Sequence, residues 1–204
     1  MKGGSSEIPV PLILVTGTVG AGKTTVAAEM NDLLSTLKIP NAALDLDALV
    51  LQWPATSEWN DDLMFENLAS LWSNYRAHGT THLILSNVLE DRCQLDRYRV
   101  AVPGAEITVC RLMTPESARL ERLHARHPLG WSRDWHLART VELEDLLDQR
   151  SCEDFTVENG DRTVGEVARE VLVRAGWISA DSTGSIERET DQVPHLVPNG
   201  ASVR

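Results

Sequence analysis

Cysteine is scarce in this chain of 204 residues, with Cys93, Cys110 and Cys152 far apart and odd in number. No CxxC or metal-like spacing joins them, which excludes a disulfide scaffold and points to reduced thiols in a cytoplasmic protein. Lysine is scarcer still, with Lys2, Lys23 and Lys38 beside 16 arginines. Acids outnumber bases 30 to 19, for a formal net charge of −11. That balance argues against a general nucleic-acid binder, which carries a basic stripe, but leaves room for a local basic pocket. Long apolar runs are missing too. The longest, Pro9 to Val15, is far too short to span a bilayer. Met1 to Pro11 lacks the basic-then-apolar layout of a secretory signal. Secretion and membrane insertion are therefore not expected. What is present is ordinary for a globular protein: 42% hydrophobic and 24% charged residues. The length favours one domain whose core needs no disulfide or metal to hold it.

Along the chain, short apolar runs alternate with helical patterns. Leu12 to Val15 reads as a buried strand before a glycine-rich stretch. Val26, Ala27, Met30, Leu33, Leu34 and Leu37 follow at helical spacing until Pro40. Ala42 to Leu46, His82 to Leu85, Glu106 to Leu112 and Asp154 to Val157 read as further strands. Helices are expected from Asp61 to about Ala77, near Asp91 to Val100, after Thr114–Pro115, from Asp134 to about Gln149, and from Val164 to Ala175. Leu137, Val141, Leu143, Leu146 and Leu147 are the expected apolar positions of the fourth of these. The alternation predicts an α/β fold with a parallel sheet and helices on both faces. Residues 1–9 are expected to be a flexible N-terminus, 10–178 the folded domain, and 179–204, rich in Ser, Thr, Gly, Pro and acids, a disordered tail.

Gly17-Thr18-Val19-Gly20-Ala21-Gly22-Lys23-Thr24 matches GxxxxGK[ST] in full, between an expected strand and an expected helix. The residue types suit a nucleotide's phosphates. Glycines permit unusual backbone angles and close approach of N–H groups to phosphate oxygens. The helix start adds unpaired donors and a positive dipole end. Lys23 is expected to bridge the β- and γ-phosphates of ATP and Thr24 to bind Mg²⁺, with Thr25 completing the loop.

Asp45 and Asp47 sit at the end of the second expected strand. Residues two apart on a strand share a face, so both carboxylates should reach one cleft beyond the sheet's carboxyl edge. One could hold a water on Mg²⁺ and the other accept a proton from an acceptor hydroxyl. The third strand ends Leu83-Ile84-Leu85-Ser86-Asn87 with no Asp, so the usual second metal-binding acid of motor and switch ATPases is missing. Asp45 is the expected replacement, with Ser86 and Asn87 near the phosphates.

Arg119, Arg122, Arg126, Arg133 and Arg139 crowd a Pro/Gly break at His127 to Trp131, in an otherwise acidic chain. Such a helix–loop–helix, about residues 119–139, is expected to be a lid that brings positive charge to the transferring group and excludes water. Arg122 is expected on the nucleotide, Arg126 at the reacting phosphate and Arg139 on the substrate. Trp53 and Trp59 lie on a loop where they either stack on a planar acceptor or seal the loop against the sheet. Trp72 fits a helical core pattern. Glu90 and Arg92 form a further acceptor-side pair, and Glu158 to Asp161 would border the adenine.

Together the loop Gly17 to Thr25, Asp45-Leu46-Asp47 after the second strand, and the Arg-rich lid with Arg126-His127-Pro128-Leu129 resemble the P-loop small-molecule kinases. That group includes shikimate and gluconate kinases, adenylylsulfate kinase and chloramphenicol phosphotransferase. The similarity covers residues 10 to 177. It implies a three-layer P-loop NTPase fold with a five-stranded parallel sheet in the order 2-3-1-4-5. It also implies Asp45 near Mg²⁺ and Asp47 on the acceptor hydroxyl. Leu44-Asp45-Leu46-Asp47 is similar to the LDGD segment of adenylylsulfate kinases. The glycine triplet that shikimate kinases carry after the third strand is replaced here by Ser86-Asn87-Val88-Leu89. Neither the Asp-Gly-x-Pro-Arg segment of nucleoside monophosphate kinases nor the Ser-Pro-Tyr-Arg segment of adenylylsulfate kinases is present. The implied activity is ATP-dependent transfer of the γ-phosphate to a hydroxyl of a small molecule, with no acceptor named. Its rivals are a non-catalytic ATP-binding regulator, which would lack acceptor-stimulated ATP loss, and a nucleic-acid end kinase, which the charge of −11 disfavours.

Overall fold

A computed structural model of the chain describes residues 8–54, 61–126 and 131–181, and within these not the side chains of residues 126, 131–134, 136 and 137. Five strands, β1 (Val10–Thr16), β2 (Asn41–Asp45), β3 (His82–Ser86), β4 (Ala105–Met113) and β5 (Phe155–Glu158), form one parallel sheet in the order β2-β3-β1-β4-β5. The described residues form six α-helices, α1 (Lys23–Thr36), α2 (Asp61–Ala77), α3 (Leu95–Ala101), α4 (Glu116–Arg126) and α5 (Trp131–Arg150) between strands and α6 (Val164–Arg174) after β5. The expected fold class, strand order and element pattern all hold. The expected strand boundaries shift by one or two residues: in β1, β3 and β4 backbone pairing runs past the apolar run, while β2 stops at Asp45 before Leu46 and β5 begins at Phe155.

Alternate strand residues feed two separate cores. Leu12, Leu14, Leu83, Leu85 and Val109 point to the face covered by α2 and α3, where they meet Met64, Leu68, Trp72, Leu95 and Tyr98. Ile13, Val15, Ile84, Cys110, Leu112 and Val157 point to the other face and pack on Val26, Met30 and Leu34 of α1 and on Val167, Val171 and Leu172 of α6. Burial on both faces is why these strands are continuous apolar runs without alternation. Trp72 is core, as its spacing predicts. Thr163 and Glu166 cap α6 reciprocally, each side chain accepting from the other's backbone N–H. The thiols of Cys93, Cys110 and Cys152 are free.

Leu143 and Leu147 of α5 are buried, but Val141 is 59% exposed, which corrects its expected core position. Its helix phase turns it away from the Leu143–Leu147 stripe. α4 and α5 are joined by a buried guanidinium: Arg119 grips the Glu144 carboxylate through both terminal nitrogens, NH1 to Oε1 at 2.7 Å and NH2 to Oε2. Glu144→Gln leaves that guanidinium facing an amide. The expected cost is about 3 kcal/mol, read by urea unfolding.

Ser179 to Asp181 continue from α6, with Arg169 donating to the Ala180 carbonyl at 2.7 Å. Residues 1–7 and 182–204, which carry most of the expected flexible terminus and tail, lie outside the described residues.

Candidate active site

The carboxyl edge of the sheet opens into a cleft of about 930 Å³. The loop between β1 and α1 forms its floor, with Val19, Gly20, Gly22, Lys23, Thr24 and Thr25 in the lining. Thr18 and Ala21 of the same loop are buried beneath it. Its backbone is set by positive φ at Gly17, Gly20 and Gly22 (143°, 80° and 90°), a region that favours glycine.

The loop is also held open by donors that pull its carbonyls outward. Ala21 O accepts from Asn159 Nδ2 at 2.6 Å and from Thr114 Oγ1 at 3.1 Å. Arg122 NH1 reaches Gly20 O at 3.3 Å, and Thr140 Oγ1 reaches Val19 O at 3.4 Å. A peptide whose carbonyl is turned outward turns its N–H the other way, toward an anion seated in the loop. Thr114 and Asn159, the latter expected beside the adenine, thus both brace the loop. Packing behind Gly22 is tight: a Cβ there would stand 2.7 Å from Asn159 Nδ2. Gly22→Ala combines that clash with a strained φ. It is expected to lower stability by about 2 kcal/mol in chemical unfolding and to weaken nucleotide binding.

Lys23 Nζ donates to Gly17 O and Thr18 O at 3.1 Å each, so the ammonium lies over the loop. At the first turn of α1, Thr24 Oγ1 donates to Asp45 Oδ2 at 2.5 Å. The other carboxylate oxygen, Asp45 Oδ1, accepts from Asp47 N at 3.0 Å. Asp45 thereby ends β2 and caps the 3-10 turn Leu46–Val50. Asp47 lies in that turn and not on the strand. The expected strand alternation is therefore not what brings the two acids together, although both do line the cleft.

The arginines of the expected lid divide by placement. Arg122, expected on the nucleotide, lines the cleft beside the loop. Arg139 lines it too, but is paired with Glu90 and, at 2.9 Å, with Glu142. Arg126 closes α4, and its side chain lies outside the described residues, as does that of Arg133. Residues 127–130, with His127-Pro128-Leu129, and residues 55–60, with Trp59, lie outside them altogether. Two expected substrate residues are corrected. Arg92 is turned from the cleft: NH1 donates to Cys152 O at 2.8 Å and NH2 to Asp154 Oδ1 at 2.6 Å. Trp53 is 93% exposed and is not among the described residues that line the cleft. Ser86 is buried at the end of β3, and Asn87 lines the cleft with its side chain bonded to Tyr98.

The wall opposite the loop went largely unforeseen. Asn87 Nδ2 donates to Tyr98 Oη at 2.9 Å. Tyr98 is buried edge-on to Phe65, with ring centroids 5.0 Å apart. Burial, reinforced by the charges of Asp61 and Asp47, pushes the Tyr98 phenol up to about 12, so it stays protonated. Arg97 lies over the Phe65 ring at 4.4 Å and pairs with Asp62 at 2.5 Å and Asp61 at 3.6 Å. Glu90 is in the lining, as its expected acceptor-side role requires.

The donor set suits a metal shared with phosphate. Among the described residues no group of three or more His, Cys, Asp or Glu side chains could hold a metal ion. The adjacent Thr24 hydroxyl and Asp45 carboxylate are hard oxygen donors, sufficient for an ion that takes its remaining ligands from water and phosphates. Among the described residues no helix is long and apolar enough to cross a membrane.

No protein-family model and no curated protein matches the sequence. Solved structures do. A gluconokinase from Sinorhizobium meliloti 1021 is similar over 81% of this chain and 91% of its own, at 24% identity and a TM-score of 0.52. The tunicamycin resistance protein of Deinococcus radiodurans is similar over 83% and 97%, at 18% identity and a TM-score of 0.59. A shikimate kinase from Acinetobacter baumannii, solved with shikimate, is similar over 81% and 92%, at 21% identity and a TM-score of 0.52. The chain thus has the three-layer P-loop fold found in kinases of small molecules.

Proposed function

We propose that the protein transfers the γ-phosphate of ATP to a hydroxyl group of a small molecule. The observation that carries this is the 2.5 Å bond between Thr24 and Asp45, which joins the phosphate loop to the turn bearing Asp47 across one cleft. The fold shared with gluconokinase and shikimate kinase supports it.

Each group then has a task. Lys23 and the loop N–H groups hold the β- and γ-phosphates, and Arg122 adds charge from the lid side. Thr24 and Asp45 would hold Mg²⁺, which, when bound, supplies positive charge on the phosphate oxygens. Asp47 accepts the proton of the acceptor hydroxyl as its oxygen bonds to the γ-phosphorus. Lys23 and Arg122 stabilise the charge on the phosphate oxygens while the bond to the departing ADP breaks. The fixed loop and the Arg119–Glu144 clamp on α4 and α5 keep these groups in register.

The test is ADP release from Mg-ATP with pooled hydroxyl compounds: sugars, nucleosides, hydroxy acids, and aminoglycoside- and phenicol-type drugs. A kinase shows stimulation by one pool. Tight ATP binding with stimulation by none rejects the proposal in favour of an ATP-sensing role. An oligonucleotide that stimulates release and binds with steep salt dependence would indicate an end kinase instead.

A further inference from the structure

The wall facing the phosphate loop limits what the acceptor can be. Among the described lining residues it carries two guanidiniums, Arg97 and Arg139. Both are already engaged by acids, of which Asp61, Glu90 and Glu142 line the cleft and Asp62 lies outside the lining. Arg97 holds Asp61 and Asp62 and covers the Phe65 ring, and Arg139 holds Glu90 and Glu142. Among the described lining residues of this side, the carboxylates of Asp47, Asp61, Glu90 and Glu142 outnumber the guanidiniums of Arg97 and Arg139. A carboxylate, sulfate or phosphate on the acceptor would have to displace one acid from its arginine and remain near the others. Like charges so placed repel, and each displaced acid would lose its own partner. Between the charged groups, Val50, Met64, Phe65 and Val88 give the wall apolar surface, with an aromatic ring among them.

We infer that the acceptor is a hydroxyl compound free of anionic groups, with an apolar or aromatic face that rests on Val50, Val88 and the parts of Met64 and Phe65 that reach the lining, while its hydroxyl meets Asp47. This rests on the phosphotransferase assignment and narrows it. The Asp61–Arg97 and Glu90–Arg139 pairs act as a filter. They close the arginines to anions and leave a surplus of negative charge that tolerates an amine.

Three matched probes test this: para-(hydroxymethyl)benzyl alcohol, para-(hydroxymethyl)benzylamine and para-(hydroxymethyl)benzoate. Their binding to the full chain loaded with a non-hydrolysable Mg-ATP analogue is measured by ligand-observed NMR titration. The benzoate is expected to bind at least about tenfold more weakly than the alcohol and the amine. In the double variant Asp61→Asn/Glu90→Gln, with both arginines partly released, the ratio is expected to move about tenfold toward the benzoate. A circular dichroism spectrum of the variant confirms that it is folded, and Glu90→Gln alone, expected to move the ratio part of the way, serves if the double variant is not. Equal or tighter binding of the benzoate to the unmodified protein overturns the inference. So does a selectivity ratio unchanged in a folded variant, or binding of none of the three. The two proposals fail separately. Anion-stimulated ADP release would keep the kinase and reject the filter. Selective binding without turnover of any compound would keep the filter and reject the kinase.

Discussion

Lys23→Ala is expected to cut acceptor-stimulated ATP turnover by on the order of a hundred- to a thousand-fold, the loss typical of one preorganised charge at a developing anion. In the structure the ammonium is drawn over the phosphate loop by the carbonyls of Gly17 and Thr18 and has no part in either core. Alanine is the best helix former, so the first turn of α1 survives the change. Loop shape survives as well, because Asn159, Thr114 and Arg122 hold its carbonyls independently. Melting temperature should therefore move little while turnover collapses. Steady-state ADP release paired with thermal unfolding checks both, and full turnover in the variant would rule out the assigned phosphate site.

Asp47→Asn has the next largest expected effect, a fall in kcat of about a hundred- to ten-thousand-fold with little change in the KM for ATP. An amide keeps the shape of the side chain but cannot take the hydroxyl proton. The backbone N–H of residue 47 still caps onto Asp45, so the turn holds. Asp45→Asn should behave differently. It weakens both the Thr24 bond and the cap of the 3-10 turn, and is expected to raise the Mg²⁺ concentration needed for half-maximal rate. If the two variants gave the same kinetic pattern, the division of labour between the aspartates would be wrong.

The sheet and its strand order were legible because both faces of the strands are buried, and buried parallel strands announce themselves as short apolar runs. The phosphate loop was legible because its chemistry is local in sequence. The acids beside it were legible as a pair but not in their geometry. Asp45 uses its own side chain to end the strand, and strand alternation carries no warning of that. Arg92 and Arg97 show the remaining limit. Both are arginines after β3, yet Arg92 is drawn to Asp154 and Arg97 to Asp61 and Asp62. Which one faced the cleft depended on the phase of the short helical segment around them and on partners far along the chain. The contacts of Asn87 with Tyr98, and of Arg97 with Phe65, join separate elements in the same way, and no motif spacing signals them.

The most direct test of the central claim follows the phosphate itself. ATP labelled at the γ-position is incubated with Mg²⁺, the protein and the acceptor pool that stimulates ADP release, and the products are separated. The account predicts that label moves into a phosphate ester of one small molecule, in proportion to the ADP formed, and that both vanish in the Lys23→Ala variant. Label recovered only as inorganic phosphate, or transfer that persists without Lys23, would contradict it.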